Sequence, residues 1–267
     1  MTIAVIGSTG LIGRALIPAL LARGRKVRAL VRRASAVPGA ETVVGDLLEP
    51  ATLGPLLEGV ELAINVATAV PKPGQPPDYR MNDRLRLDGA ANLLAALPPG
   101  ARLLQQSIAF ICGDGANWVD EATPPLLRPS ATAMEAKIAA SAQDALVLRG
   151  GLFYGPGTGT DDHWRTLTRR GALELPGDGS AYISLVHVAD YVAALLAAVE
   201  RWPRERLLNI VDDRPLPWSD VFGRIALAEN AAPPKPGGPS RMVSNRVSNA
   251  RAKAALAWRP GHPEFRP

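Results

Sequence analysis

Residues 7–13 read Gly-Ser-Thr-Gly-Leu-Ile-Gly and directly follow the apolar run Ile3-Ala4-Val5-Ile6. That order predicts a strand, a glycine turn and a helix beginning near Leu11. Gly7 permits the tight bend, Gly10 lets the backbone approach a phosphate, and Gly13 lets the helix pack close to the strand. The first-turn amides of a helix lack intrahelical acceptors, and the helix dipole adds to their pull on an anion. The turn therefore predicts a seat for the pyrophosphate of a dinucleotide, with Gly7, Thr9, Gly10, Leu11 and Ile12 at the cofactor.

The rest of the chain keeps the alternation. Further strands are predicted over 27–31, 42–44, 62–66, 102–106 and 146–149, and helices over 11–23, 53–57, 79–97 and 131–143. Gly24 ends the first helix, and Met81, Leu85, Leu93, Leu94 and Leu97 are expected to face inward from the helix at 79–97. Strands and helices at this spacing imply right-handed crossovers and an α/β, Rossmann-like doubly wound parallel sheet. After Gly151 the rhythm loosens into helices at 161–170, 188–199, 218–228 and 248–257 and strands at 182–186 and 209–211, with a Pro/Gly-rich surface connection at 232–239. The expected division is a dinucleotide-binding domain over 1–150 plus about 180–212, and a smaller C-terminal substrate lobe over about 151–179 and 213–267.

Composition narrows the partners. Of 267 residues 47% are apolar, as in soluble globular proteins, and no apolar run approaches the ~18 residues that span a bilayer. Cys112 is the single cysteine, so no intramolecular disulfide forms and a reducing, cytoplasmic setting is expected. The first strand is predicted to begin within three residues, so no signal peptide is expected ahead of the fold. The formal charge of +5 comes without a basic block interleaved with aromatics, which speaks against nucleic acid. Arg80, Arg84 and Arg86 read as a solvated helix face. His163, His187 and His262 are far apart and lack ligand spacing, so no metal site is expected. The Gly-x-Ser-x-Gly elbow of many hydrolases is absent. A small-molecule substrate is expected, and a homodimer is left open.

The end of the second strand selects the cofactor. A carboxylate there holds ribose hydroxyls, whereas arginine suits a phosphate on the ribose. Arg32 and Arg33 stand at that place, which favours NADP(H) over NAD(H). Asp46 and Leu47, in Gly45-Asp46-Leu47, are placed at the adenine.

Taken together, these segments resemble the short-chain dehydrogenase/reductase superfamily in its extended, NAD-dependent epimerase/dehydratase-like branch, over nearly the whole chain. The phosphate turn carries the resemblance, with Asn65-Val66-Ala67-Thr68, Gln106-Ser107, the segment from Leu148 to Gly157, Val186-His187-Val188-Ala189-Asp190 and Trp258-Arg259-Pro260. The resemblance implies that Ala67 and Thr68 lie beside the cofactor, that Ser107 polarises the substrate, and that Lys137 binds the nicotinamide ribose. The family also sets a tyrosine four residues before that lysine, and within Met134-Glu135-Ala136-Lys137 we give its place to Met134. A thioether has no proton to exchange. Tyr154 is then the candidate replacement acid. The plain alternatives are a strand-end serine, a solvated lysine and a packed aromatic, with His187 fixing a loop and Cys112 a small buried apolar group.

The resulting expectation is an atypical NADP(H)-dependent oxidoreductase moving a hydride to or from a small-molecule carbonyl or hydroxyl carbon. The alternatives are a non-catalytic NADP(H)-binding redox sensor or regulatory module, and a nucleotide-sugar epimerase/dehydratase. Substrate determinants are expected in residues 71–79 and 158–170 and in the C-terminal lobe.

Overall fold

In the computed structural model, which describes residues 1–113, 115–239 and 244–267, fifteen strands alternate with helices. In chain order the strands are β1 (Thr2–Ile6), β2 (Lys26–Val31), β3 (Glu41–Val44), β4 (Leu62–Asn65), β5 (Arg102–Ile108), β6 (Trp118–Val119), β7 (Ala145–Gly150) and β8 (Leu152–Tyr154). They continue with β9 (Glu174–Pro176), β10 (Tyr182–Ile183), β11 (Leu185–His187), β12 (Leu207–Ile210), β13 (Leu216–Pro217), β14 (Lys235–Gly238) and β15 (Arg246–Val247). The α-helices are α1 (Leu11–Leu21), α2 (Gly54–Leu57), α3 (Arg80–Arg84), α4 (Ala90–Ala96), α5 (Pro129–Ala140), α6 (Thr160–Arg169), α7 (Val188–Arg201), α8 (Trp218–Ala228) and α9 (Ala250–Leu256).

Seven strands form one parallel sheet in the order β12-β7-β5-β4-β1-β2-β3. The order reverses at β1, which pairs β2 on one side and β4 on the other, so the crevice at the switch point opens beside the carboxyl end of β1. Helices cover both faces, and β4 and β7 are accordingly buried along their whole length. On one face Leu16, Ile17 and Leu20 of α1 meet Tyr191 and Leu195 of α7 and Leu256 of α9. On the other, Leu56, Leu57, Leu93, Met134 and Ile138 close the core from α2, α4 and α5. Each such buried side chain contributes about 1.5–3 kcal/mol. Past β8 a separate apolar cluster of Trp164, Trp218, Phe222 and Phe265 joins α6 to α8. No helix among the described residues is long and apolar enough to cross a membrane.

The sequence-predicted elements differ from the observed ones in identifiable places. The helix expected over 79–97 contains a π-helical stretch, Leu85–Gly89, between α3 and α4. The widened turn rotates everything before it, so Met81, expected inward, is 43% exposed while Leu93 and Leu97 are buried. The strand expected over 182–186 divides into β10, which pairs β13, and β11, which pairs β8. The expected surface connection at 232–239 contains β14, added beside β9. Gly24 does follow the first helix, at φ +69°.

Candidate active site

The glycine turn is built as a cradle. Gly7 has φ +84°, and a Cβ there would lie 2.6 Å from the Ala67 amide nitrogen at the end of β4. A Cβ on Gly13 would lie 2.3 Å from the Gly7 carbonyl oxygen. Gly10 donates to that carbonyl at 3.0 Å and caps α1. The buried Ser8 hydroxyl donates to the Leu30 carbonyl at 2.5 Å and pins the turn to β2. Thr9 and Gly10 are exposed to the crevice side, Leu11 is half-buried and Ile12 is in the core. A Cβ on Gly157 would meet Leu11 Cδ1 at 3.0 Å, so the 155–159 loop lies against the same turn. First-turn amides with no acidic residue among them, beside a backbone that excludes a Cβ at Gly7 and Gly13, fit a dinucleotide diphosphate.

The neighbouring strand ends complete the crevice. Asn65 is buried, donates to Gln105 Oε1 at 2.9 Å and accepts the Ala67 amide at 3.1 Å, which fixes the backbone leading to exposed Thr68. Asn82 of α3 accepts the Ala69 amide at 3.1 Å. Asp46 Oδ1 accepts the Leu48 amide at 2.9 Å, while Leu47 is buried in space that a Cβ on Gly89 would fill at 2.8 Å.

At the end of β5 the geometry departs from the expectation. Ser107 is 2% exposed, and its hydroxyl donates to Glu135 Oε1 at 2.5 Å. Arg149 of β7 holds the same carboxylate through Nε at 3.0 and 3.1 Å and Nη2 at 2.6 Å, and donates from Nη1 to Cys112 Sγ at 3.2 Å. Ser107 is thus committed to a buried ionic network. Burial pushes the Cys112 thiol up, and the nearby Arg149 offsets only part of that rise. Glu135 was not singled out in the sequence, although a carboxylate on the buried stripe Ala131-Met134-Glu135-Ile138 was the available signal.

Met134 is 1% exposed and packs in the core among Leu103, Ile138 and Val147. It does not stand at the tyrosine's place. Four residues before Lys137 is Ala133, and these two share the exposed face of α5. Tyr154 is also buried, edge-on to His187 and Phe265, and its hydroxyl donates to the Glu264 carbonyl at 3.3 Å. Burial, and then the nearby Asp212, raise its phenol well above the ordinary value.

His187 and His262, far apart in sequence, stack with ring centroids 3.6 Å apart at 22°, beside Asp190. The Asp190 carboxylate accepts the amides of Gly261 at 2.9 Å and His262 at 2.8 Å, and pairs with His262 Nδ1 at 3.1 Å. The ligand-capable atoms of His187, Asp190 and His262 all lie within 4.8 Å of one another, a grouping that sequence spacing did not show, and the Asp190 contacts clamp the C-terminal segment to α7. Burial and the neighbouring His262 hold His187 below the usual imidazole value.

The model of the NAD dependent epimerase/dehydratase family matches residues 3–210. The chain belongs to that family. Among curated relatives it is 34% identical to a 3-diazoavenalumate denitrifying reductase from a Streptomyces species, over 100% of this chain and 98% of the relative. It is 32% identical to a ceramide reductase from Caulobacter vibrioides, over 88% of this chain and 74% of the relative. Its fold is similar to that of UDP-glucose 4-epimerase from Thermus thermophilus in complex with NAD, at TM-score 0.79 and 22% identity, over 98% and 94% of the two chains.

Family membership makes this chain an enzyme, with NAD-dependent oxidoreductase or epimerase/dehydratase chemistry on a small molecule. The expectation of NADP(H) is corrected to NAD(H): similar solved structures, the UDP-glucose 4-epimerase among them, hold NAD. Arg32 and Arg33 lie exposed just past β2.

Proposed function

We propose that this chain is an NAD(H)-dependent reductase whose substrate accepts a hydride without taking a proton from a protein phenol. One observation carries the reading: Ala133 stands four residues before Lys137, while Ser107 and Tyr154 are buried and hydrogen-bonded elsewhere. A positioned acid is worth about 100- to 10,000-fold in ordinary carbonyl reduction. An acceptor that needs none escapes that loss. An aryldiazonium ion is such an acceptor: with one hydride it yields the arene and dinitrogen, with no proton consumed. The relative of matching length is named as a denitrifying reductase, which supports this choice.

When bound, NADH supplies the hydride. The turn at Gly7 to Gly13 would hold its diphosphate, with Ala67 and Thr68 beside it, Asp46 and Leu47 toward the adenine and Lys137 toward the ribose hydroxyls. The Ser107–Glu135–Arg149 network keeps the end of β5 rigid beneath the substrate. The C-terminal elements, about 151–179 and 213–267, form the substrate lobe.

The test is NADH oxidation, followed by nicotinamide absorbance, with an aryldiazonium salt, with aldehydes and ketones, and with UDP-glucose. Diazonium consumption with release of arene and dinitrogen is expected. Ketone turnover without diazonium turnover refutes the reading. The second reading, a nucleotide-sugar epimerase or dehydratase, draws on the whole-chain likeness to UDP-glucose 4-epimerase and dTDP-glucose 4,6-dehydratase structures. Conversion of UDP-glucose to UDP-galactose would establish it in place of the first.

A further inference from the structure

Two arginines lie near the start of α5, and neither has a carboxylate in ion-pair contact among the described residues. Arg86 lies in the π-helical stretch Leu85–Gly89 and is only partly exposed. Its one hydrogen bond is a long one, 3.4 Å from Nη1 to the Ser130 hydroxyl, and that hydroxyl itself donates to Asp83 at 2.6 Å. Arg128, also half-buried, caps α5 with φ +56° and holds its guanidinium 5.9 Å from the ring centre of Phe110.

The nearby carboxylates are engaged. Asp83 takes Ser130, and Glu135 is held by Arg149 and Ser107. Burial pulls Arg86 below the usual guanidinium value; Asp83 opposes that pull and Arg128 adds to it. The two like charges repel one another, Asp83 and Glu135 offset that only in part, and desolvation adds to the cost. Both sit on costly backbone: a π-helical turn interrupts one helix, and a left-handed non-glycine residue begins the other. Irregularities of this kind concentrate at ligand sites. The place is right as well, since Glu135 joins the same cluster to the end of β5.

We propose that Arg86 and Arg128 form the anion-binding end of the substrate site, gripping a carboxylate or phosphate of the substrate while Phe110 lies along its apolar part. Arginine's planar fork suits either anion. The helix face that reads as solvated in sequence is at Arg86 a binding face. The proposal rests on the reductase reading for the presence of substrate in this crevice, but it is measured without turnover.

With NAD+ bound to the full chain, calorimetric titration compares para-hydroxycinnamate, its neutral amide and UDP. The carboxylate or UDP should bind, and the amide about 10-fold more weakly than the acid or not at all. Arg86→Gln and Arg128→Gln should each weaken the anion about 10-fold or more while leaving NAD+ affinity unchanged. Dependence on both arginines with the cinnamate assigns a carboxylate, and with UDP a phosphate. Equal binding of acid and amide, unchanged anion binding in the variants, or no binding of either anion at millimolar concentration overturns the proposal. Should Arg86→Gln fail to fold, Arg128→Gln decides. Anion binding without diazonium turnover would sink the reductase reading and leave the anion site standing.

Discussion

Replacing Glu135 by alanine leaves Arg149 buried without a carboxylate among the described residues. The two side chains are 10% and 3% exposed, and their shortest contact is 2.6 Å. Removing one partner of such a pair typically costs about 3–5 kcal/mol, because the remaining charge stays desolvated. The Ser107 hydroxyl loses its acceptor too, for about 1 kcal/mol more. At roughly 2–4 °C per kcal/mol for a chain of this size, Tm should fall by about 8–24 °C. Circular dichroism melting measures this directly. Glu135→Gln keeps an acceptor for Ser107 and should fall between the two. The double variant Glu135→Leu with Arg149→Met removes both charges and should recover most of the loss, since an apolar pair of similar volume replaces a buried ion pair at little cost. A single alanine variant melting within about 2 °C of the parent, or a double variant worse than the single, would refute the ionic account of this network.

Burial pushes the Asp212 carboxyl up to about 9, and the Arg214 backbone amide offsets only part of that rise. The fold therefore keeps a proton that the unfolded chain releases above its ordinary value of 3.8, so this group's support for folding is greatest in acid and falls as pH rises toward about 9. Asp212→Asn should raise stability at pH 8 by on the order of a few kcal/mol, read as a higher Tm, and change it little at pH 4; equal shifts at both would contradict this. Gly7→Ala and Gly13→Ala should each weaken NAD+ binding by about 10-fold or more, measured by fluorescence titration. Gly24→Ala, at positive φ with nothing within 4 Å, should cost about 1–2 kcal/mol of stability and leave NAD+ affinity intact. Met134→Tyr overfills the core and should destabilise by about 1–3 kcal/mol, whereas Ala133→Tyr on the exposed face should not. Gain of ketone reduction in Ala133→Tyr, read by NADH oxidation, would show that the crevice lacks only the phenol.

Much of the architecture was legible because its signals are local. The glycine turn, the apolar strands and the helix end at Gly24 each follow from a few adjacent residues and their allowed backbone angles. The long helix at 79–97 was found, but its π-helical stretch was not, since a widened turn leaves no mark in apolar spacing. The site was legible on its cofactor side only. Met134 lies three positions before Lys137, not four, and the helix geometry turns it into the core.

The amino-acid sequence by itself determined a nucleotide-binding α/β sheet and the seat of the diphosphate, because close backbone approach demands glycine whatever surrounds it. Tertiary structure alone decided which side chains meet: Glu135 with Arg149, His187 with His262, and Arg86 with Ser130. Such encounters depend on how distant segments cross, and no neighbouring residue in the chain encodes the energy of a charge whose partner arrives only when the sheet closes.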